Sequence, residues 1–472
     1  MGTLFGALGT AGEALRAFQQ SVDVTQNNVA NANSPGYAKQ VPLFDSLAFQ
    51  PANGLMGGVQ EQTQDTRNEF AETAVQQQTS LLGEYQQLQT SLAPLQSVFD
   101  VSANSAIPSA LNQLFQSFSA WSTQPNDTNS RNAVLTAAGA VATAFQQTAA
   151  QLNAIRNSTN GDLQSTVAQI NQDAATIRDY NVAVARQSAP DAGLDAQLHN
   201  ALEDLSNLAD VQVVPGNGGT VTVLLGGQTP LVIGNQLNAL KVQFTPSPNA
   251  SNPNAPPNAS ILDGNGVDIT NQVSSGSLQA LLTVRNSLIP SLAGGDQQTG
   301  DLNVLAQGLA DTVNNVLAQG STTATPPYQA GSPLFTYDAS SPVGLAGSLA
   351  VNPALTPDQL AAVDPGPPVV SNGAALTLAG LDTGNQINGQ SFTQFFSSLA
   401  TRVGTAAQNA DTSAAAQSQL VAQSKNLRQQ LSGVSLDEEA IRLVELQRSY
   451  QAASKVVNVV DQLTQTILNL IQ

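Results

Sequence analysis

Few residues in this chain are of types that could carry out chemistry. The sequence has one histidine, His199, and no cysteine, which removes thiolate nucleophiles, thiolate metal ligands and disulfides from consideration. A Ser-His-Asp hydrolase would also need a G-x-S-x-G turn for its nucleophile, and the sequence lacks that motif. In LDAQLHNALEDL, leucines at helical spacing predict a buried stripe, and His199 falls beside it. We therefore predict a surface residue at His199 and no hydrolase.

Two glycine-bearing segments resemble ligand-binding loops but lack the residues that such loops need. The run that starts at Asp263 would need Gly at its sixth and Glu at its twelfth position to form an EF-hand, and it has Asp268 and Ser274 there. The cluster at 216–219 lacks the third glycine of a dinucleotide-binding loop, and the sequence has no Gly-Lys pair for a phosphate-binding loop. Both segments predict turns, so we expect no catalytic residue, metal site or cofactor.

The acidic run 437–439 has a structural interpretation as well. Ser435 precedes Glu438 by three residues, which is the spacing of a capping box at the first turn of a helix. Carboxylates in a first turn also interact favourably with the helix dipole. The run therefore predicts the start of a helix rather than a group of catalytic carboxylates.

The charge and hydropathy of the chain exclude two classes of partner. Fifteen Lys and Arg against thirty-three Asp and Glu give a formal net charge of −18, and the basic residues are scattered singly, whereas nucleic-acid contacts need clustered basic groups. No stretch approaches the roughly 18 uninterrupted apolar residues of a membrane-spanning helix. The first twenty residues have only Arg16 as a basic group and no continuous apolar core, so no cleaved signal peptide is predicted. We expect neither nucleic acid nor a membrane as a partner.

Both ends of the chain carry long amphipathic patterns. Apolar or small residues alternate by steps of three and four between residues 4 and 32 and again, with one short step, between 443 and 470, which is a heptad seam rather than the wider stripe of a globular helix. Such helices need partners, and we predict that they pair with each other as a coiled-coil-like rod and also contact other copies. The predicted assembly interface comprises Leu4, Leu8, Leu15, Phe18, Val22, Val29, Leu443, Leu446, Tyr450, Val457, Val460, Leu463, Ile467 and Leu470.

The first helix ends in an asparagine-rich motif. Pro35 cannot continue a helix and Gly36 tolerates the positive φ of a tight turn, so the helix must end near Asn31. By themselves the asparagines fit a helix C-terminus and turn as well as a functional motif. The motif residues at the two ends are Asn28, Asn31, Asn33, Ser34, Pro35, Gly36 and Tyr37, and Leu436, Asp437, Glu438 and Glu439.

The run NNVANANSPGYAKQ resembles the signature of bacterial flagellar axial proteins, which form the rod, the hook and the hook-filament junction. The run 432–470 resembles the closing helix of the same superfamily, and its LDEEA opening is most similar to the hook-associated members. In the middle, DAGLDAQLHNALEDLSNLADVQVV and SGSLQALLTVRNSLIP resemble the segments that enter and leave the β domain of those members. The resemblance covers nearly the whole chain, although 320–390 is short for the family.

The middle of the chain predicts helices with an inserted β-rich part. Helical spacing continues through 60–209 with a break at 157–161, and period-two alternation begins at Val211, whereas 41–49 has room for one short strand. We predict a mainly α fold in three parts. These parts are a terminal coiled-coil core (1–45 and 435–472), a helical bundle (46–209, 277–319 and 391–434) and an outward β-rich domain (210–276 and 320–390).

The resemblance implies a structural subunit and not an enzyme. It implies self-association in a ring at the hook-filament junction, contacts with the hook protein and the second hook-associated protein, and a cytoplasmic export chaperone on the C-terminal helix. It also implies secretion to the flagellum through the flagellar type III channel, without a cleaved signal peptide. Two alternatives are another axial protein, from the hook or distal rod, whose middle would be mainly β, and a secreted adhesin-like module that uses 210–273.

Overall fold

The computed structural model describes residues 2–50, 55–100, 107–186, 191–246, 251–252 and 255–471. The chain is mainly α with short strands inserted among the helices, as predicted. The helices are α1 (Gly2–Ala30), α2 (Glu69–Val98), α3 (Ile107–Thr123), α4 (Thr128–Val184), α5 (Ala192–Leu208), α6 (Gly276–Thr283), α7 (Ile289–Ala293), α8 (Asp301–Gln319), α9 (Leu345–Ser348), α10 (Gly373–Ala379), α11 (Phe392–Ser432) and α12 (Leu436–Ile471). The strands are β1 (Gln40–Gln50), β2 (Leu55–Asp65), β3 (Val211–Pro215), β4 (Val221–Leu225), β5 (Thr229–Ile233), β6 (Gln236–Leu237), β7 (Lys241–Phe244), β8 (Ala259–Leu262), β9 (Phe335–Thr336) and β10 (Ala350–Val351).

The two terminal helices, α1 and α12, pack against each other, which confirms that they pair. Asn28, near the end of α1, contacts Glu439, near the start of α12, so the helices run antiparallel. Helix α1 ends at Ala30, as the Pro-Gly turn requires. Small side chains allow the close approach of α1 to its neighbours, and the buried residues among its described side chains are Ala11, Ala17, Ser21, Thr25 and Asn28.

Strands β1 and β2 form a long hairpin, and the prediction of a single short strand at 41–49 was wrong. Strand β1 pairs antiparallel with β2, from Gln40 opposite Asp65 to Gln50 opposite Leu55. The hairpin packs on α1, where the rings of Phe18 and Phe44 meet edge to face with centroids 6.0 Å apart. The strands depend on pairing with each other and on contact with a helix, neither of which period-two alternation reports.

Helix α4 is continuous over 57 residues, so the break predicted at 157–161 is absent. The buried stripe passes through this segment, because Leu152, Thr159 and Leu163 are all buried at helical spacing. Gly161 costs about 1 kcal/mol of helix propensity relative to alanine. Burial of two leucines, each contributing roughly 1.5–3 kcal/mol, outweighs that cost.

The chain divides into two compact units. The first unit consists of Met1–Leu81, Gln172–Leu237 and Gln417–Gln472, and the second consists of Leu82–Asn171 and Asn238–Ala416. In the first unit, β3 to β6 form an antiparallel sheet in sequential order. The division into terminal core, bundle and outward β domain is a functional one that these units do not test, and it stays a proposal.

The second unit has a large apolar core built by its helices. Trp121, Phe118 and Phe145 are fully buried in it, and the ring of Phe115 stacks on that of Phe392 at a centroid distance of 6.2 Å. A π-helical turn, Val284–Leu288, joins α6 to α7. Residues 320–390 contain strands β9 and β10, helices α9 and α10, and loops. Within the described ranges, no helix has the length and hydropathy needed to cross a bilayer.

Candidate assembly site at the paired chain ends

Polar contacts in the first unit converge on Asn28, the last buried residue of α1. Its side chain is 1% exposed. Its Oδ1 accepts hydrogen bonds from the Gln40 N–H and the Tyr37 hydroxyl, both at 2.9 Å. Its Nδ2 donates to the Gln40 carbonyl at 2.8 Å and to Glu439 Oε2 at 3.0 Å. Asn28 therefore joins α1, the turn after it and the first turn of α12.

Glu439 is a buried carboxylate that one hydrogen bond and one ion pair stabilise. It is 1% exposed, and besides the bond from Asn28 its Oε1 lies 3.1 Å from Lys39 Nζ. A buried carboxylate without such partners would cost several kcal/mol. Lys39 Nζ also lies 2.9 Å from the exposed carboxylate of Glu438, and the Lys39 N–H donates to the Ser432 carbonyl at 2.9 Å. The residues after α1 are thus tied to both helices of the C-terminal segment.

The pKa values of this network reflect the mutual contacts of its members. Burial lowers the pKa of Lys39, but its hydrogen bonds to Glu438 and Glu439 outweigh burial and raise that pKa overall. The bond to Lys39 in turn lowers the pKa of Glu438. Burial and the charge of Glu439 raise the pKa of Tyr37 to about 12, which keeps its phenol protonated as a donor to Asn28.

The start of α12 differs from the predicted capping box. The Glu438 N–H donates to Ser435 Oγ at 3.5 Å, the outer limit for a hydrogen bond. The Glu438 carboxylate contacts Lys39 instead of returning to the Ser435 N–H. A full positive charge attracts a carboxylate more strongly than a peptide N–H does. The acidic run therefore starts the helix and also connects it to the other end of the chain.

The turn after α1 requires glycine at position 36. The Asn31 N–H donates to the Asn27 carbonyl at 3.0 Å, and the Ser34 N–H donates to the Asn31 carbonyl at 2.9 Å. Gly36 has a φ of 71°, and a Cβ there would lie 2.5 Å from the Ala196 carbonyl oxygen of α5. Both the backbone conformation and the space exclude a side chain. The turn is thereby held against α5.

An ion-pair network connects this turn to α5 and to two further helices, α2 and α11. Arg67 donates to the Gly36 carbonyl at 2.8 Å and pairs with Glu72 of α2 at 2.7 Å and with Asp195 of α5 at 2.5 Å. Arg428 of α11 pairs with the other oxygen of Glu72 at 3.2 Å. Because each charge has a partner within this largely buried cluster, the network stabilises the base on which the chain ends are held.

His199 lies within this network, so the prediction of a surface residue was wrong. Its side chain is 13% exposed, and its Nδ1 lies 2.9 Å from the Asp195 carbonyl oxygen and 3.4 Å from Asp195 Oδ1. Burial raises the pKa of Asp195, but its contacts with His199 and Arg67 outweigh burial and lower it. The periodicity of one helix shows which face is apolar, but it does not show which neighbouring elements cover the flank of that face.

A cavity of about 550 Å³ lies beside His199 and Asp195. Its lining also contains carboxylates from the hairpin and from α2, together with the carboxylate that caps α5: Asp65, Glu69, Glu72 and Asp191. In the part of the chain that the structure describes, no group of three or more His, Asp or Glu side chains is placed to hold a metal ion. We assign no chemistry to this cavity.

The structure brings the two end motifs together only in part. Asn28, Tyr37 and Glu439 form the network, with Glu438 joined through Lys39. The turn is shaped by Asn31, Ser34, Pro35 and Gly36, while the remaining motif residues, Asn33, Leu436 and Asp437, are exposed. Sequence reasoning missed Lys39, Gln40, Arg67 and Ser432. The only signal for the first two was their position directly after the asparagine-rich motif.

The predicted seam residues fall into three classes of burial within one chain. The buried ones are Leu446 and Val460. The half-buried ones are Leu15, Phe18, Val22, Leu443, Val457 and Ile467. The exposed ones are Leu8, Val29, Tyr450 and Leu463. The side chains of Leu4 and Leu470 lie outside the described residues. Their role in contacts with other copies stays a prediction.

Helix α12 has a second apolar stripe that faces away from α1. Its members form two groups at helical spacing, at 441–444 and at 456–463, and each is between 46% and 63% exposed: Ile441, Val444, Val456, Val459 and Leu463. Within the described ranges, α1 covers only one of the two apolar sides of α12. The paired ends therefore present a surface suited to association with another protein.

The two segments that meet at the Asn28–Glu439 contact each match a flagellar family. Residues 8–37 match the flagella basal body rod protein family, and residues 416–470 match the flagellar basal body rod FlgEFG protein C-terminal family. With paired terminal helices and an inserted middle, these matches define a flagellar axial protein. Residues 92–335, just over half of the chain, match the flagellar hook-associated protein FlgK helical domain. The chain belongs to this hook-associated family, whose members are structural proteins and not enzymes.

Individual relatives agree with this assignment. The chain is 25% identical over 506 aligned residues to flagellar hook-associated protein 1 of Bacillus subtilis (strain 168), with 99% of each chain covered. It is 24% identical to the protein of the same name from Salmonella typhimurium, over 64% of this chain and 54% of that one. The solved structure of the flagellar hook junction protein FlgK from Burkholderia pseudomallei superposes with a TM-score of 0.65 at 17% identity, covering 76% of this chain and 100% of that chain. This last likeness shows the fold alone.

Proposed function

We propose that this chain is a structural subunit of the bacterial flagellum that forms the junction between hook and filament. Membership of the hook-associated family supports this assignment, as do relatives named flagellar hook-associated protein 1. We propose further that copies of the chain associate with one another through their terminal helices. The observation that carries this second step is the outward apolar stripe of α12.

The apolar stripe of α12 that faces α1 stabilises the folded chain, and the outward stripe is available for contacts between copies. Leu446 and Val460 face α1 and are 8% and 9% exposed, so they stabilise the helix pair within one chain. Val459 and Leu463 face away and are 53% and 50% exposed. Burying the exposed half of such a side chain contributes roughly 1 kcal/mol. In a ring every subunit repeats the same contact, so a modest gain per subunit stabilises the whole assembly.

The other partners follow from the proposed position in the flagellum. A junction subunit contacts the hook protein on one side and the second hook-associated protein on the other. We propose that the chain reaches that position by export through the flagellar type III channel. Before export, a small cytoplasmic chaperone covers α12, because an exposed apolar stripe of this length is an aggregation hazard.

A charge placed in the outward stripe tests the proposal. Leu463→Asp changes an exposed residue, so the monomer should fold, but each subunit contact would then bury an unpaired carboxylate at a cost of several kcal/mol. In a flagellated strain that carries the variant in place of its own copy, we expect the variant protein and flagellin in the medium. Electron microscopy should show cells without attached filaments.

Asn458→Asp provides the matched control. Asn458 is exposed on the polar side of the same helix, so this substitution adds the same charge outside both apolar stripes. We expect normal attached filaments from this control. If Leu463→Asp also gave normal attached filaments, self-association through the outward stripe would be ruled out.

A further inference from the structure

Two deeply buried arginines in the second unit lack counter-ions. Arg156 lies on α4 and is 5% exposed, and Arg285 lies in the π-helical turn after α6 and is 2% exposed. Among the described residues of this unit, ion pairs join other arginines to Asp358 and Asp301. Among the same described residues, no carboxylate oxygen lies within 4 Å of a guanidinium nitrogen of Arg156 or Arg285. Buried charges are normally paired, because an unpaired one is strongly destabilising.

Among the described residues, Arg156 donates hydrogen bonds only to neutral groups. Its Nη1 donates to Asn153 Oδ1 at 2.5 Å, and its Nη2 donates to the Gly294 carbonyl at 2.9 Å. Its Nε is buried and has no hydrogen-bond partner among the described residues. The guanidinium is therefore held in place, but its charge is not compensated and one N–H donor is not used.

Arg285 also donates hydrogen bonds to neutral groups and has one donor without a partner among the described residues. Its Nε donates to Asn160 Oδ1 at 2.6 Å, and its Nη2 donates to the Pro257 carbonyl at 2.5 Å. Its guanidinium carbon lies 5.8 Å from the centre of the Phe244 ring. Its Nη1 is buried without a partner in the described ranges. A π-helical turn is rare and occurs often at functional sites, and this one carries Arg285.

The two guanidiniums are neighbours. Asn160, which binds Arg285, lies one helical turn after Arg156 on α4, so both arginines act at the same face of that helix. Burial and the charge of Arg285 lower the pKa of Arg156 to about 10. Burial also lowers the pKa of Arg285, and the charge of the buried Asp296 opposes that effect. Since the charge of Asp296 acts on Arg285 and can balance only one of the two cations, a surplus of one positive charge remains.

We propose that Arg156 and Arg285 together bind one small inorganic anion, through Nε of Arg156 and Nη1 of Arg285. The anion would accept hydrogen bonds from both unused donors and would neutralise the surplus charge. Chloride and phosphate both have this chemistry, because each is an anion that accepts hydrogen bonds from N–H donors. The site lies in the second unit and is independent of the proposed assembly function.

Denaturation of the full chain at increasing anion concentration tests this site. Chloride in one series, and inorganic phosphate in another, would replace gluconate at constant ionic strength. A ligand that binds only the folded state raises the denaturation midpoint progressively with its concentration. We expect this rise in at least one series, and the series that shows it at the lower concentration identifies the preferred anion.

Two arginine variants and one control assign the effect to the site. Arg156→Gln and Arg285→Gln should abolish the dependence on the anion. Lys241→Gln removes the same charge from an exposed strand position of the same unit, and it should retain the wild-type dependence. Absence of any dependence in the wild type, or an undiminished dependence in Arg156→Gln, would overturn the proposal.

A second measurement keeps the proposal testable if Arg285→Gln fails to fold. Crystals of the wild-type chain would be soaked in bromide as a probe for chloride, and separately in arsenate as a probe for phosphate. We expect an anomalous peak beside both guanidiniums with at least one of these ions. If neither ion gave a peak there, the proposal would also be overturned.

Discussion

One amide organises the contact between the chain ends. Asn28 uses its side chain to accept two hydrogen bonds and to donate two, which is the full capacity of an asparagine. Aspartate has the same shape but no donor, and serine is too short to span the same groups. Because Asn28 is buried, the loss of any of these bonds would leave a polar atom that cannot form a replacement hydrogen bond with water.

Asn28→Asp should therefore destabilise the first unit. The substitution removes the donors to Gln40 and Glu439 and places a second carboxylate beside the buried one of Glu439. We expect a loss of about 2–4 kcal/mol in the local free energy of unfolding. Hydrogen exchange of the amides in 25–45 and 436–446 would measure this loss. Asn27→Asp is the control, because Asn27 is exposed and the substitution preserves the oxygen that binds Asn31. Equal exchange in the two variants would contradict the assigned role of Asn28.

The same network predicts a loss of stability at alkaline pH. Burial and the charge of Glu439 raise the pKa of Tyr37 from 10.0 to about 12, so the folded chain holds the phenol proton more tightly than the unfolded chain does. This contribution is fully present below pH 10 and is lost as the pH rises towards 12. Lys39, whose pKa is also raised, adds a loss in the same direction.

Tyr37→Phe should lower stability below pH 10, because the bond to Asn28 is lost, and should flatten the further decline between pH 10 and 12. Urea denaturation across that pH range would measure both effects. Tyr450→Phe changes an exposed tyrosine of α12 and should retain the wild-type decline. An unchanged slope in Tyr37→Phe would show that Tyr37 does not contribute to it.

At the scale of elements, asparagines on helices form side-chain hydrogen bonds with the backbone of residues in or next to strands. In each case the side-chain amide accepts from the N–H and donates to the carbonyl of a single extended residue, as a neighbouring strand would do. The pairs are Asn28 with Gln40, Asn171 with Leu240, Asn181 with Val221, Asn286 with Ala259, and Asn314 with Phe335. Short strands with few sheet neighbours are thereby held in place.

Asn314→Asp tests this device. The new carboxylate would still accept from the Leu334 and Phe335 N–H groups, but the Phe335 carbonyl would lose its donor. We expect a loss of about 1–3 kcal/mol in the stability of the second unit. The adjacent Asn315 is exposed on the same helix, so Asn315→Asp makes an identical chemical change without this loss. Thermal denaturation of both variants would reveal the difference, and equal midpoints would refute the role of Asn314.

At the scale of the whole molecule, one side of α12 packs against α1, and we propose that the other side binds other proteins. The inward side of α12 is occupied by α1. The outward side is free for the proposed chaperone in the cytoplasm and, after export, for the next subunit. If both proposed partners use this surface in succession, the chaperone would prevent assembly from starting before export.

Val456→Asp combined with Val459→Asp should weaken binding of the chaperone at least about tenfold, which corresponds to 1.4 kcal/mol. Both side chains are more than half exposed, so the helix pair should survive. Co-purification of the chaperone from the cytoplasm would measure the effect, with Asn458→Asp as the control that retains binding. If the chaperone still co-purified after deletion of 436–471, its site would lie elsewhere in the chain.

Several features of this structure follow from the sequence alone, because they depend on local patterns of residues. Pro35 and Gly36 end α1 because a proline ring and a positive φ are incompatible with a continuing helix. The heptad seams predicted that the two ends would pair, and the change of period at Val211 predicted the start of a strand. These features depend on residues a few positions apart, so a single sequence contains them.

Only the tertiary structure decided which groups meet across long distances. Asn28 and Glu439 are 411 residues apart, and nothing in either segment specifies that a buried carboxylate will accept from that amide. The pairing of β1 with β2, the continuity of α4 through Gly161 and the partial burial of His199 also depend on neighbouring elements. Periodicity identifies the apolar face of a helix or strand, but the covering element and the partner of each polar group are set by packing.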